Sequence, residues 1–161
     1  MTAFVTRFDF RAPGASPRER AAMYATALDM AAYVDESGDL AVMVSEHHAS
    51  DDGYLPSPLV AAAAIAARTS TIAISVSALL VNLHDPIRLA EDIAVLDHVS
   101  GGRVSYTLGL GYRPEEYALL GRSWSTRGRD MDTAIETLLS AWSDGRVTPP
   151  PLSEPHPVLF V

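Results

Sequence analysis

Three times this chain follows a short apolar run with a Ser-Pro or Asp-Pro pair that opens a helical pattern, and that grammar restricts the fold more than any other feature. Phe4 to Phe10 alternates apolar and polar side chains, as a strand does. Ser16-Pro17-Arg18-Glu19 then supplies an N-cap, a proline at the first helical position and a glutamate three residues past the cap. This capping box predicts a helix from Pro17 to about Glu36, stopped at Gly38. Leu40 to Ser45 reads as a strand buried on both faces. Ser57-Pro58 opens a helix to about Arg68, and Ile72 to Leu80 is the next strand. Asp85-Pro86 opens a helix to about Val99, which Ser100-Gly101-Gly102 ends before a fourth strand at Val104 to Leu108. Helices near Pro114 to Leu120 and Arg127 to Trp142 follow, then a proline-rich connection at 144–157, and Val158 to Val161 reads as the start of a fifth strand. Strict alternation of strand and helix predicts an α/β fold with a parallel sheet and right-handed crossovers. A length of 161 residues fits a single domain over 1–161.

Composition removes several function classes. Apolar residues make up 48% of the chain, enough for a buried core and against disorder. The longest apolar run, around Leu59 to Ala67, is too short and too alanine-rich to cross a bilayer. MTAFVTRFDF lacks the charged start and apolar core of a signal peptide. The absence of cysteine excludes disulfides, thiolate zinc sites and cysteine nucleophiles, and it is compatible with the cytoplasm, the expected location. A formal charge of −8 with no basic cluster makes nucleic acid an unexpected partner.

In a parallel α/β protein, chemistry is placed just past the C-terminal ends of the strands. Glu46-His47-His48 stands at such an end. Adjacent histidines on an extended segment point to opposite faces, so His47 and His48 do not chelate one metal together. Adding Glu46, Asp51 and Asp52 gives no spacing of a known metal site, and no metal is expected. A histidine titrates where proton handling near neutral pH needs it, which fits His47 as an acid, base or hydrogen-bond donor; the plainer alternative is a solvated strand-end histidine. His84, His98 and His156 read as structural or exposed, and Arg88 with Glu91 as a surface or interhelical ion pair.

Glu46-His47-His48, Ser57-Pro58, the run Asp85-Pro86-Ile87-Arg88-Leu89-Ala90-Glu91-Asp92, Leu96-Asp97, and Ser100-Gly101-Gly102-Arg103 followed by Gly109-Leu110-Gly111 occur in the order and spacing of one family. In these residues the chain resembles the luciferase-like monooxygenases, oxidoreductases that use a flavin or deazaflavin. The resemblance runs over nearly the whole chain, most tightly over 40–130, and implies a TIM (β/α)8 barrel with FMN or the deazaflavin coenzyme at its C-terminal mouth. Such a barrel needs roughly 250 residues, so this chain supplies about half, strands one to four with their helices. By position, His47 matches the histidine beside the reactive edge of the flavin. Ser77-Ala78 matches a pair that often carries a non-proline cis peptide under the ring, and Gly109-Leu110-Gly111 matches a loop lining the cofactor pocket. Leu110 and Gly109 stand where bacterial luciferase has an arginine near the cofactor phosphate and a cysteine. The family also carries about ten residues, between segments like Ala141-Trp142 and Pro149-Pro150, that this chain lacks. On bare residues, Gly109-x-Gly111 is either a close approach of backbone to a flat ring or a tight turn into the Pro114 helix.

The resemblance implies oxygen insertion from reduced FMN into a small organic substrate. His47 would hydrogen-bond the cofactor or the oxygen, Glu46 would orient His47, and Ser77, Ala78, Gly109, Leu110 and Gly111 would bind the ring. Two alternatives stay open: hydride transfer with the deazaflavin, and a non-catalytic truncated half-barrel serving as a binding or subunit-interaction module. The alanine-rich helix 58–68 either packs tightly on its own sheet or, with helix 86–99, forms the homodimer interface that the resemblance implies. A half-barrel of four strands would leave the first and fourth with unpaired edges. A second chain, the proline-rich segment or the remainder of a longer product would cover them, and an ending at Leu159-Phe160-Val161 favours the last.

Overall fold

Residues 4–161 are described by the computed structural model. Five parallel strands lie side by side in chain order: β1 (Val5–Phe8), β2 (Ala41–Val44), β3 (Ala73–Leu80), β4 (Val104–Gly109) and β5 (Val158–Phe160). The connections carry α1 (Pro17–Ser37), α2 (Pro58–Arg68), α3 (Pro86–Ser100), α4 (Pro114–Leu119) and α5 (Arg127–Ser143), with a single 3-10 turn at Val81–Leu83. Val42, Val44, Ile74, Val76, Val104, Tyr106 and Leu108 are buried beneath the helices. The side chains between them face the other way: Arg7, Met43, Ser75, Ser105 and Val158 form one row across the sheet, and Ser77, Thr107 and Phe160 the next. This inner face is only partly covered, so β2 is buried on one side rather than the expected two.

The helix starts follow the local code with one exception. Ser16 Oγ accepts from the Glu19 amide at 3.3 Å while Glu19 Oε2 accepts from the Ser16 amide at 2.8 Å, so the capping box forms. Asp85 Oδ1 accepts from the amides of Ile87 and Arg88, both at 3.0 Å. Ser57 makes no such bond: its backbone, at φ −132° and ψ 72°, leaves the extended geometry in which a capping hydroxyl reaches the first amides. Strand β1 also ends sooner than its alternation suggests. Asp9 O accepts from the Leu55 amide, and Phe10 turns into the left-handed region (φ 58°) to stack on Tyr24 at 4.6 Å.

The expected free edge on β4 is absent, because β5 pairs with it from Ser105↔Val158 to Thr107↔Phe160. Buried Asp97 holds the proline-rich connection that leads there, accepting from the Ser153 amide at 2.7 Å and the Ser153 hydroxyl at 2.9 Å. At the opposite, N-terminal end of the strands, Arg103 uses all five of its donors. Nε donates to Ser100 O, Nη1 to Thr69 Oγ1 and Ile72 O, and Nη2 to Ala66 O and Thr69 O, at 2.7–3.1 Å. No helix among the described residues is long and apolar enough to cross a membrane.

Asp35 breaks a local rule, since an acid in the last turn of α1 opposes the helix dipole. Its tertiary role explains it: the carboxylate accepts from the Ser70, Thr71 and Ile72 amides and the Thr71 hydroxyl, tying α1 to the turn before β3. The Ser70 amide, with the Thr71 and Ile72 donors, lowers its pKa from the ordinary 3.8 to about 2. A depressed folded pKa contributes stability that is full above the unfolded value and is lost as pH falls through the folded one. Urea midpoints of the native chain and Asp35→Asn should therefore differ at pH 6, and the gap should shrink between pH 4 and pH 2. A gap that is constant with pH would dismiss the carboxylate as the source.

Candidate active site

Two buried carboxylates and three histidines meet at the C-terminal ends of β2, β3 and β4. Glu46 follows β2 directly, and its amide donates to Ala78 O at 3.2 Å, which fixes the backbone against β3. Its side chain is 1% exposed. Oε2 accepts from the Leu80 amide at 2.6 Å, and Oε1 accepts from His48 Nε2 at 2.8 Å and His84 Nε2 at 2.9 Å. Burial pushes the Glu46 carboxyl up, but the His48 and His84 donors, the charge of His84 and the Leu80 amide outweigh it and leave its pKa below the ordinary value.

Glu46 does not orient His47. That bond belongs to Glu116, in the first turn of α4 and fully buried, whose Oε1 accepts from His47 Nδ1 at 3.0 Å. The same oxygen accepts from the His48 amide at 3.0 Å and from Arg113 Nη1 at 3.4 Å. In the neutral ring, a carboxylate oxygen facing Nδ1 assigns the hydrogen to that nitrogen and leaves Nε2 of His47 with its lone pair. His48 and His84 instead turn Nε2 toward Glu46. Tyr54 and Tyr112 meet the His47 ring edge-on, with centroids 4.7 and 5.5 Å away. The adjacent histidines thus engage different carboxylates on different elements.

Beside this cluster, half-buried Ser77, Ala78 and Gly109 of the paired β3 and β4 form a ledge on the inner face. The Ser77-Ala78 peptide is cis, as the resemblance led one to expect, and the β3–β4 register shifts between Ser77 and Leu79. Across from it, a Cβ on Gly109 would lie 2.7 Å from Ala78 Cβ, so only glycine lets β4 approach. Gly111 sits at φ 78° and turns the chain toward α4. The Leu110 carbonyl accepts from the Tyr117 hydroxyl, which itself accepts from Asn82 Nδ2 at 3.0 Å, so the Gly109-Leu110-Gly111 loop is pinned from behind. Gly111 makes the turn toward α4, and the close approach at Gly109 is to Ala78 of β3. Among the described residues no group of three or more potential metal ligands is arranged to hold an ion.

The family model described as luciferase-like monooxygenase matches residues 3–157. The chain belongs to the luciferase-like monooxygenase family. The oxygenase component of a flavin-dependent trigonelline monooxygenase from Acinetobacter baylyi is 27% identical over 154 residues, 86% of this chain and 43% of that protein. The Sinorhizobium fredii protein y4wF is 33% identical over 80% of this chain and 37% of its own length. Among solved structures, monooxygenase RslO1 from Streptomyces bottropensis superposes with a TM-score of 0.87 at 25% identity, over 98% of this chain and 52% of that one. The luciferase-like chain thus spans about half or less of the length of these relatives, and its five strands form part of the TIM barrel seen in the family.

Of the residues expected at the site, Ala78 and Gly109 meet across β3 and β4, Leu110 and Gly111 continue from Gly109, and His47 follows Glu46, whose amide bonds Ala78 O while its side chain serves His48 and His84. Glu116, Arg113, Tyr54 and His84 were not expected there. Glu116 follows Pro114 and Glu115, where acids suit any helix start, and nothing local separates it from an ordinary first-turn glutamate.

Proposed function

We propose that this luciferase-like chain carries the ring-binding and proton-handling half of an FMN-dependent monooxygenase acting on a small organic substrate. The observation that carries this reading is the bare ledge of Ala78 and Gly109 lying beside a histidine whose tautomer a buried glutamate determines. The residues fit a flat ring in that Ser77, Ala78, Gly109 and Gly111 offer small side chains or main chain, and the lack of a Cβ at Gly109 keeps β4 close against Ala78. Bound there, FMN supplies electrons and oxygen activation. The chain's share is orientation and proton control. His47, with Nδ1–H held by Glu116, offers Nε2 to accept a hydrogen bond or a proton at the ring edge. Tyr54 and Tyr112 restrict the imidazole's swing and shield it from water. The flavin dependence of the trigonelline monooxygenase component favours FMN over the deazaflavin. The intact His47–Glu116 pair favours an enzyme over a non-catalytic half-barrel.

The direct test is a titration of the chain into FMN, followed by flavin fluorescence. Saturable quenching is expected, and Gly109→Val, which drives side-chain atoms into Ala78, should weaken it at least tenfold, roughly the cost of an overpacked contact. Equal quenching by Gly109→Val would remove the ledge as the ring site.

We also propose a homodimer through α2 and α3. Ala61, Ala62 and Ala66 pack inward, while Val60, Val95 and Val99 are 71%, 51% and 50% exposed along one groove between the two helices. Sedimentation should give a dimer, and the pair Val60→Glu with Val95→Glu a monomer. A native chain that sediments as a monomer at all concentrations would remove this interface.

A further inference from the structure

Arg7 is the one charged side chain on the inner face among the described strand residues, in a row with Met43, Ser75, Ser105 and Val158. The side chain is exposed on the open inner face, and no ion pair within 4.0 Å forms to it among the described residues. Its guanidinium is nonetheless held in place. Nη2 donates to Ser45 Oγ at 2.9 Å and to Tyr54 Oη at 3.0 Å, and these two hydroxyls bond each other at 2.9 Å. Ser45 is buried, so the clamp is anchored in the sheet and not in solvent.

Counting donors shows what is left over. Nη2 spends both hydrogens, while Nε–H and the two Nη1 hydrogens make no bond within the described residues. One hydroxyl of the Ser45–Tyr54 pair donates to the other, which leaves the second hydroxyl's hydrogen uncommitted. The unspent groups are therefore four donors, three of them on a full positive charge, against one hydroxyl lone pair. The ring of Tyr54 connects this cluster to the site, since it meets His47 edge-on at 4.7 Å.

Resting on the reading of the strand ends as a catalytic mouth, we propose that Arg7, with Ser45 and Tyr54, anchors the carboxylate of an organic-acid substrate and so places its remainder against His47. A monoanion suits the site better than a phosphate dianion. The neighbouring cation, Arg11, is already committed to Asp9 at 2.8 Å, and the Asp9 charge also acts on Arg7 without bonding it, so the site offers one guanidinium and no second free cation. The chain's net charge of −8 opposes a second negative charge on the ligand. A charge-assisted bond to a held guanidinium is among the stronger polar contacts available, which makes Arg7 a determinant of substrate class and not a general surface charge.

Binding of benzoate to the full chain, without flavin, tests this by NMR of the arginine Nε–H resonances. Benzoate should bind saturably and shift the Arg7 signal. Benzyl alcohol should bind at least tenfold more weakly, and inorganic phosphate should not displace benzoate at equal concentration. Arg7→Gln should lower benzoate affinity at least tenfold, Arg7→Lys should recover part of the loss, and Arg11→Gln should leave affinity within about twofold. The assignment is overturned by unchanged benzoate affinity in both Arg7 variants, by absent binding at millimolar benzoate, or by phosphate competing on equal terms. Because no flavin is present, failure here leaves the FMN titration untouched, and failure of that titration leaves this measurement interpretable.

Discussion

Arg103→Met should lower the melting temperature by roughly 10 °C, the largest stability loss expected of any single change outside the core. The reason is geometric. Ala66 O and Thr69 O belong to the C-terminal end of α2, Ser100 O closes α3, and Ile72 O precedes β3. The carbonyls at the two helix ends have no further residue of their own helix to accept from, and one planar fork satisfies them together with Ile72 O and Thr69 Oγ1. Methionine keeps the apolar stem and removes every donor, stranding carbonyls in a partly buried turn at about 1 kcal/mol or more each. A loss of roughly 3–4 kcal/mol converts to about 10 °C for a domain of this size. Arg103→Lys restores the charge near two helix C-termini but supplies three donors from one point, and should recover less than half. A melting temperature within about 3 °C of the native value in Arg103→Met would mean that water replaces the fork at little cost.

Much of the frame was readable because it is local. Proline with a preceding cap, the capping box at Ser16 and the glycine stops act within a few residues, so the helices begin and end close to where the sequence places them. Ser57 carried the same signal and failed to cap, because its backbone torsions are set by the loop that delivers it. Phe10 continued an alternating pattern but left the strand, since its ring gained a stacking partner in Tyr24 on α1. The site was half legible for the same reason. Gly109 and Ser77-Ala78 could be placed by resemblance and position, whereas the partner of His47 could not. Glu46 is adjacent in sequence, but its side chain turns inward to close β3 and bind His48 and His84. Glu116 lies 69 residues away and reaches His47 only because α4 folds back over the ends of β2 and β4. Arg7 alternates like any polar strand residue, and the pattern alone does not say that its face is the inner one.

The division of labour between the two glutamates leads to the sharpest functional expectation. Glu116→Gln should cut turnover about 100-fold or more, within the usual range for a misplaced acid–base group, while FMN affinity changes by less than about threefold. Glutamine keeps the volume but can present an N–H to His47 Nδ1, which favours the tautomer with the hydrogen on Nε2 and removes the lone pair from that nitrogen. It also leaves Arg113 without its carboxylate neighbour at 3.4 Å. A loss caused by general disorder would look the same in turnover, so the deciding readout is the ring nitrogen spectrum. The native chain should show His47 protonated at Nδ1, and Glu116→Gln should show a mixture or the reverse. Glu46→Gln provides the contrast: it should disturb the signals of His48 and His84 and leave the His47 tautomer in place, because no atom of Glu46 bonds that ring. If instead Glu46→Gln moves His47 and Glu116→Gln does not, then proton control at the flavin edge passes through the strand-end glutamate and its two histidines, and α4 serves only to cover the ledge.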